Sequence, residues 1–176
     1  GFVSEKSKIY STTDYTKFRI KSDLMMLKYK KKEKISYTNA ILFNHDSMFR
    51  NKKFLLPRIV NAIIKKDYTF LNSIIKANIF ADFSHAEDIC HGLYKIAFSK
   101  VNFDKIILSS GKSTSVNNAI RYIIKKNKLK LDIKLNKPKI KKTLIGNNKL
   151  AIQKLNWAPK KNMNIAANEI YRYMNK

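Results

Sequence analysis

Apolar residues recur along the chain with two periods, one typical of helices and the other typical of strands. The clearest helical run has Val116, Ala119, Ile120, Ile123 and Ile124 at positions i, i+3, i+4, i+7 and i+8. The whole pattern predicts helices over 15–32, 54–66, 86–99, 116–124, 148–156 and 164–174, and strands over 35–43, 105–110 and 129–135. Strands that alternate with helices indicate an α/β fold with parallel strand pairing.

Two of these helices carry recognisable starting signals. Thr13 and Asp14 offer capping oxygens to the first helix. Ser84 stands at capping-box spacing from Glu87, before the helix that ends near Ser99. The apolar positions of the first helix repeat at roughly helical spacing and are Phe18, Leu24, Met25 and Leu27. This spacing supports the prediction of a helix over 15–32.

Two segments have patterns that bear on binding and on the sheet. Residues 129–135 alternate leucine or isoleucine with lysine or aspartate, which predicts a half-buried strand. Residues 44–53 form a polar loop directly after the buried strand over 35–43. In α/β sheets, ligands bind at the carboxyl ends of strands. This loop is therefore where we first expect binding residues.

The composition excludes several classes of protein. With 176 residues, of which 44% are hydrophobic, the chain has enough apolar side chains for one core. Its four glycines lie too far apart for a dinucleotide-binding fingerprint or a phosphate-binding P-loop. The single cysteine, Cys90, excludes an internal disulfide and a multi-cysteine zinc site, and no apolar run is long enough to span a bilayer. We expect a soluble, cytoplasmic protein without a bound metal.

The net charge of +25 arises from 37 lysine and arginine residues against 12 aspartate and glutamate residues. Such an excess invites a nucleic-acid interpretation. Only five of the basic residues are arginine, however, which is the side chain best suited to base and phosphate contacts. The abundance of lysine, isoleucine and asparagine fits adenine- and thymine-rich codons equally well. We therefore favour a solvated lysine-rich surface over a nucleic-acid interface.

Several motifs, taken in order, resemble the C-terminal part of the GDP-mannose 4,6-dehydratases, a family of the extended short-chain dehydrogenase/reductase superfamily. Residues 41–47 (ILFNHDS), Arg50 and residues 54–59 (FLLPRI) resemble the family's LFNHES, an arginine and FVTRKI. Residues 82–88 (DFSHAED) are similar to the family's DWGHAKD. Shorter matches occur at Ser110-Gly111 with Ser115-Val116, at Lys137-Pro138, at Gly146-Asn147 and from Leu155 to Pro159. Together they extend over nearly the whole chain.

The resemblance places Tyr15 and Arg19 at the tyrosine and the lysine of the family's Tyr-x-x-x-Lys motif, counting back from His45 without a gap. A spacing of four residues puts both side chains on one side of a helix. A cation beside a phenol favours the phenolate, so the tyrosine can exchange protons near neutral pH. Arg19 departs from the family pattern because a guanidinium is larger and planar. Ala81 stands where the family has a further arginine.

The resemblance implies a hydro-lyase that depends on NADP. The family oxidises C4 of the hexose, removes water across C5 and C6, and returns the hydride to C6. Tyr15 would be the base for the C4 hydroxyl, with Arg19 as its catalytic neighbour. The implied contacts with the cofactor are Tyr15, Arg19, His45 and Arg50, and those with GDP-mannose are Asn44 and Lys137.

The resemblance also implies an incomplete Rossmann-like fold that lacks its N-terminal half. Residues 1–43 would be a remnant of the NADP-binding domain, and residues 44–176 would form the substrate-binding region, with strand 104–110 joining the main sheet. The family's glycine-rich fingerprint and its Thr/Ser-x-Glu catalytic segment would lie before Gly1. We therefore expect a fragment of a longer enzyme, which would be a homo-oligomer.

Two other functions stay open at this point. The first is an epimerase or a reductase of the same superfamily that acts on another nucleotide sugar, which a comparison of GDP- and UDP-hexose binding would identify. The second is a lysine-rich nucleic-acid-binding module without enzymatic activity. Such a module would bind DNA or RNA with an affinity that falls steeply as salt rises.

Overall fold

The computed structural model describes residues 1–176 and shows a mixed α/β fold. Its helices are α1 (Asp14–Glu33), α2 (Leu55–Lys65), α3 (Tyr68–Ala77), α4 (Ala86–Ala97), α5 (Val116–Lys126), α6 (Lys149–Leu155) and α7 (Met163–Met174). Its strands are β1 (Phe2–Val3), β2 (Asn39–Leu42), β3 (Asn44–Asp46), β4 (Phe80–His85), β5 (Lys105–Leu108), β6 (Ser113–Ser115) and β7 (Ile145–Gly146). None of the helices combines the length and the hydropathy that crossing a membrane requires.

The strands form three small sheets. β2 pairs in parallel with β5, and β1 pairs in parallel with β7. In the third sheet, β4 lies between β3, which is parallel to it, and β6, which is antiparallel. Phe43 is the only residue between β2 and β3. The chain therefore passes directly from the sheet of β2 and β5 into the sheet of β3, β4 and β6.

Two apolar clusters hold these elements together. The larger cluster joins α2, α3, α5 and α7 and includes Phe83 of β4. The smaller cluster surrounds Trp157, which is 1% exposed and packs with Ile106 and Leu108 of β5. The indole Nε1 of Trp157 donates a hydrogen bond to the carbonyl of Asp88 at 2.8 Å, so its one polar atom is satisfied in the core. Trp157 is therefore the anchor of the smaller cluster.

The six predicted helices are all present, and their ends differ from the prediction by two residues at most. The strands predicted over 35–43 and 105–110 are present but shorter, as β2 and β5. α3 and β4 were not predicted. Both fall in the stretch between the predicted helices over 54–66 and 86–99, and β4 is the central strand of its sheet.

The prediction of a strand over 129–135 is wrong, because this segment has no hydrogen-bonded strand partner. The apolar side chains of the segment are partly buried against the larger cluster, whereas its lysines are exposed. Alternating apolar and charged residues indicate that one side of an extended chain is buried. A layer of helices supplies that burial without any strand pairing.

The predicted start of the loop 44–53 and the predicted capping residue of α4 are also wrong. The first three residues of the predicted loop 44–53 form β3. Ser84 lies within β4, and the residue that caps α4 is His85. Its Nδ1 accepts a hydrogen bond from the backbone N–H of Glu87 at 3.1 Å. A side chain other than serine or aspartate thus satisfies the end of the helix.

The apolar residues of α1 are largely exposed. Phe18 is 67% exposed, and Met25 is 54% exposed. The buried residue of α1 is Asp23, whose carboxylate accepts hydrogen bonds from the Tyr37 hydroxyl at 3.2 Å and pairs with Lys105 at 3.1 Å. These polar contacts turn Asp23 toward β5. The apolar side of α1 therefore faces solvent.

Candidate functional site

Asn44 and His45 lie on β3, where the chain leaves β2. Asn44 Nδ2 donates a hydrogen bond to the carbonyl of Asp82 at 3.1 Å, which links β3 to β4. His45 Nδ1 lies 2.8 Å from the carbonyl oxygen of Phe43. A carbonyl only accepts hydrogen bonds, so Nδ1 carries the proton and Nε2 is free to accept one. Both side chains line a cavity of about 290 Å³.

Arg50 lines the same cavity and is held from two directions. Its Nε lies 3.0 Å from Oδ1 of Asp46, and its guanidinium carbon lies 3.6 Å from the centre of the Phe54 ring. Asp46 is 4% exposed. Burial raises the pKa of Asp46 to about 6, although the charge of Arg50 opposes this shift. The contact with Asp46 uses Nε, which leaves the terminal nitrogens of Arg50 for an anionic ligand.

The carboxylate of Asp82 joins several loops directly behind Asn44. Asp82 is completely buried. One of its oxygens accepts hydrogen bonds from the backbone N–H and the hydroxyl of Ser110, at 2.8 and 2.6 Å. The other accepts backbone N–H groups of Gly111 at 3.2 Å and Gly146 at 2.9 Å. Asp82 thereby fixes the ends of β5 and β7 against the strand whose carbonyl holds Asn44.

Tyr15 and Arg19 lie on consecutive turns of α1. Thr13 caps this helix, and its hydroxyl accepts the backbone N–H of Thr16 at 3.3 Å. Tyr15 is 71% exposed, in the first turn. Arg19 is exposed too and lines a different cavity, of about 240 Å³, together with Tyr37. The cavity of Arg19 is separate from the cavity of His45.

Tyr37 and Arg19 both line the cavity of about 240 Å³. Burial raises the pKa of Tyr37, and the carboxylate of Asp23 adds to that rise, whereas the charge of Arg19 lowers it. The phenol donates its proton to Asp23. Tyr37 is therefore a hydrogen-bond donor in the folded chain.

Lys137 is exposed in the segment between α5 and β7 and lines neither the cavity of His45 nor the cavity of Arg19. The chain immediately before it is anchored by Arg121. The guanidinium of Arg121 donates hydrogen bonds to the carbonyls of Leu135 at 2.9 Å and Asn136 at 3.1 Å. Ala81, which stands where the family has an arginine, lines the cavity of His45.

The structure thus brings Asn44, His45 and Arg50 together and leaves the other candidates elsewhere. Tyr15 and Arg19 lie on α1, and Lys137 lies apart from both groups. Sequence reasoning missed the roles of Asp46 and Asp82, although both belong to the segments 41–47 and 82–88 that carry the family motifs. Those segments were the available signal. The partners of Asp82 lie in other elements, and the raised pKa of Asp46 results from its burial.

Comparison with known proteins identifies a family. A family model described as GDP-mannose 4,6 dehydratase matches residues 1–170. The Caenorhabditis elegans protein GDP-mannose 4,6 dehydratase 2 is 25% identical to the chain over 181 aligned residues. The alignment covers 89% of the chain and 47% of the C. elegans protein. The chain therefore spans about half the length of this relative.

Solved structures share the fold at low sequence identity. RMD from Pseudomonas aeruginosa, complexed with NADPH, superposes with a TM-score of 0.80 at 12% identity, covering 97% of the chain and 58% of RMD. dTDP-glucose 4,6-dehydratase from Bacillus anthracis, in complex with NAD, gives a TM-score of 0.78 at 15% identity, covering 99% of the chain and 56% of that enzyme. These likenesses confirm the predicted α/β, Rossmann-like fold class. With its family model matched over residues 1–170, the chain belongs to the GDP-mannose 4,6-dehydratase family.

Proposed function

We propose that the chain is the C-terminal portion of an NADP-dependent nucleotide-sugar 4,6-dehydratase, a hydro-lyase that converts GDP-mannose to GDP-4-keto-6-deoxymannose. One observation carries the proposal. Asn44, His45 and Arg50, which match the family's strand-end motif, line one cavity directly after β2. Membership of an enzyme family supports this function over a nucleic-acid-binding module. GDP-mannose is the finer part of the proposal and needs its own test.

The groups around the cavity fit a dinucleotide. His45 Nε2 is free to accept a hydrogen bond from a ribose hydroxyl or an amide, because Nδ1 is occupied by Phe43. The terminal nitrogens of Arg50 remain for phosphate oxygens, because Asp46 occupies Nε. Arg19 is a further exposed cation, on α1. NADP would supply hydride transfer at this place, accepting a hydride from C4 of the hexose and returning it to C6.

In this proposal Tyr15 takes the proton of the C4 hydroxyl. Its exposure leaves the phenol accessible to a substrate, and Arg19 lies four residues further along the same side of α1. A positive charge there stabilises the phenolate that proton transfer requires. Arg19 thus takes the electrostatic part of the role that lysine has in the family motif.

Asn44 and Lys137 are the proposed substrate contacts. Asn44 donates through Nδ2 to Asp82, so its Oδ1 remains to accept a hydrogen bond from a sugar hydroxyl. Lys137 offers an exposed ammonium group for the diphosphate, next to the chain that Arg121 anchors. Asn44 therefore sets the position of the sugar, whereas Lys137 contributes charge.

The proposal extends to organisation and partners. Residues 1–43 would belong to the cofactor domain and residues 44–176 to the substrate region. β5, which pairs with β2, would nevertheless join the main sheet of the cofactor domain. A second copy of the protein is the proposed partner of α1, where Phe18, Met25 and Tyr29 form an exposed apolar stripe. The cytoplasm is the proposed location, as the single cysteine suggests.

The test uses the full-length protein that carries residues 1–176, incubated with NADP and GDP-mannose. We expect the 4-keto-6-deoxy product, detected by mass spectrometry as the loss of one water. Lys137→Gln should raise KM, while the exposed Lys134→Gln, in the same segment, should not. Formation of no product, with Arg19→Lys also inactive, would contradict the proposal. Turnover of a UDP-hexose in place of GDP-mannose would reassign the substrate to that of an epimerase or a related enzyme.

A further inference from the structure

A third cavity, of about 670 Å³, shares no lining residue with the two cavities described above. It is formed by the turn after β3, the first turn of α4 and the C-terminal half of α7. Its volume falls within the range of about 300–1,000 Å³ that is typical of small-molecule sites. None of Tyr15, Arg19, Asn44, His45 or Lys137 lines it. It is therefore a separate candidate site.

One wall of this cavity is a satisfied polar network. His85 is 3% exposed, and its Nε2 donates a hydrogen bond to Glu169 at 2.7 Å, while Nδ1 caps α4. Lys161 bonds to Glu87 and lies 3.3 Å from Glu169. The Glu87 contact raises the pKa of Lys161, and the same hydrogen bond lowers the pKa of Glu87. Both ring nitrogens of His85 are engaged, so this wall shapes the cavity and offers no free base.

The remaining lining of the cavity combines cations with aromatic rings. The carboxylates of Glu87 and Glu169 are taken by Lys161 and His85, which leaves Arg172 without an acidic partner among the lining residues. Lys176 is a second exposed cation of the lining. Phe49 and Tyr173 are 78% and 50% exposed, and their ring centres lie 6.3 Å apart. A ligand here meets exposed aromatic surface beside unpaired positive charge.

We propose that this cavity binds a nucleoside monophosphate. The base would lie against Phe49 and Tyr173, since aromatic side chains stack on the faces of nucleic-acid bases. The phosphate would pair with Arg172 and Lys176, because guanidinium and ammonium groups form the strong charge-assisted contacts with phosphate. Lys161 offsets one of the two carboxylate charges of the lining, and the charges of Arg172 and Lys176 outnumber the one that remains. This site is independent of the proposed dehydratase activity.

Cys90 gives a direct report on occupancy. It is exposed, lines this cavity and is the only cysteine of the chain, so a thiol reagent labels one place. The rate of alkylation of Cys90 by a fluorescent maleimide is measured with increasing AMP or GMP, and with inorganic phosphate or NADP as separate arms. We expect AMP or GMP to slow the alkylation in a saturable manner. Arg172→Gln or Lys176→Gln should raise the half-protecting concentration about tenfold.

Matched variants make the result specific. Lys125→Gln removes an exposed lysine of α5 outside the cavity and should leave the protection unchanged. Phe49→Ala should weaken the protection of Cys90 by nucleotides and leave any protection by inorganic phosphate unchanged. Absence of protection by nucleotides, or protection that survives loss of both Arg172 and Lys176, would overturn the proposal. Equal protection by inorganic phosphate would overturn its aromatic part, and protection by NADP alone would show a dinucleotide site. The readout involves no turnover, so its failure leaves the dehydratase proposal untouched.

Discussion

The carboxylate of Asp82 accepts the backbone N–H of Gly146 at 2.9 Å, across 64 residues of chain. The same carboxylate holds Ser110 and Gly111, so one completely buried side chain fixes β7 and the loop after β5. A buried carboxylate is stable only when its oxygens are hydrogen-bonded, and here each oxygen has two donors. This side chain therefore sets the geometry behind the candidate site.

Replacing Asp82 by asparagine should lower the free energy of unfolding by about 3 kcal/mol. The amide nitrogen of asparagine would face backbone donors that the carboxylate oxygen now accepts. Urea denaturation measures the loss, and Asp132→Asn, at an exposed position, is the control, with an expected change within about 0.5 kcal/mol. Equal stability of the Asp82 variant and the wild type would show that the four hydrogen bonds contribute nothing.

Replacing Gly92 by alanine should destabilise the smaller cluster. A Cβ atom there would lie 2.7 Å from Cδ1 of Leu108 and 3.0 Å from Nε1 of Trp157. Overpacking costs about 1–3 kcal/mol, which exceeds the gain of about 1 kcal/mol from exchanging glycine for alanine in a helix. Thermal unfolding should show a lower Tm. Gly1→Ala, with open space around it, should not change Tm, and a stabilised Gly92 variant would refute the packing described here.

Asp46 should make stability depend on pH between about 4 and 6. Burial raises the pKa of Asp46 to about 6, so the folded chain holds this proton more firmly than the unfolded chain does. Its contribution is therefore most favourable below pH 4 and is lost as pH rises through 6, by an amount on the order of 2 kcal/mol. Asp46→Asn cannot titrate, so the stability of the variant relative to the wild type should increase from pH 4 to pH 7. A constant difference across this range would rule out the raised pKa.

The apolar stripe of α1 should cause association of the isolated chain. Phe18, Met25 and Tyr29 lie on one side of α1 at positions i, i+7 and i+11, and all are exposed. Light scattering should give a mass that increases with protein concentration, and the double variant Phe18→Ser/Met25→Ser should reduce this increase. A monodisperse monomer at all concentrations would contradict the role of the stripe.

The positions of the helices could be predicted because apolar residues repeat at 3.6-residue spacing in α2, α5 and α7, whose apolar sides meet in one cluster. The side of α1 could not be predicted, because the contacts of Asp23 with Tyr37 and Lys105 determine it. Alternation over 129–135 indicated burial on one side but not the absence of a strand partner. Sequence motifs located Asn44, His45 and Arg50. The raised pKa of Asp46 depends on burial, and the partners of Asp82 lie far along the chain, so neither was visible in the pattern.

The most direct test of the proposed function is the turnover of Tyr15→Phe in the full-length protein that carries the chain. Removing the phenolic proton acceptor should lower kcat with GDP-mannose and NADP by about 10²–10⁴-fold, the usual contribution of general acid–base catalysis. Tyr29→Phe, an exposed tyrosine on the same helix, should retain the kcat of the wild type. Equal kcat values for Tyr15→Phe and the wild type would contradict the assignment of Tyr15 as the base.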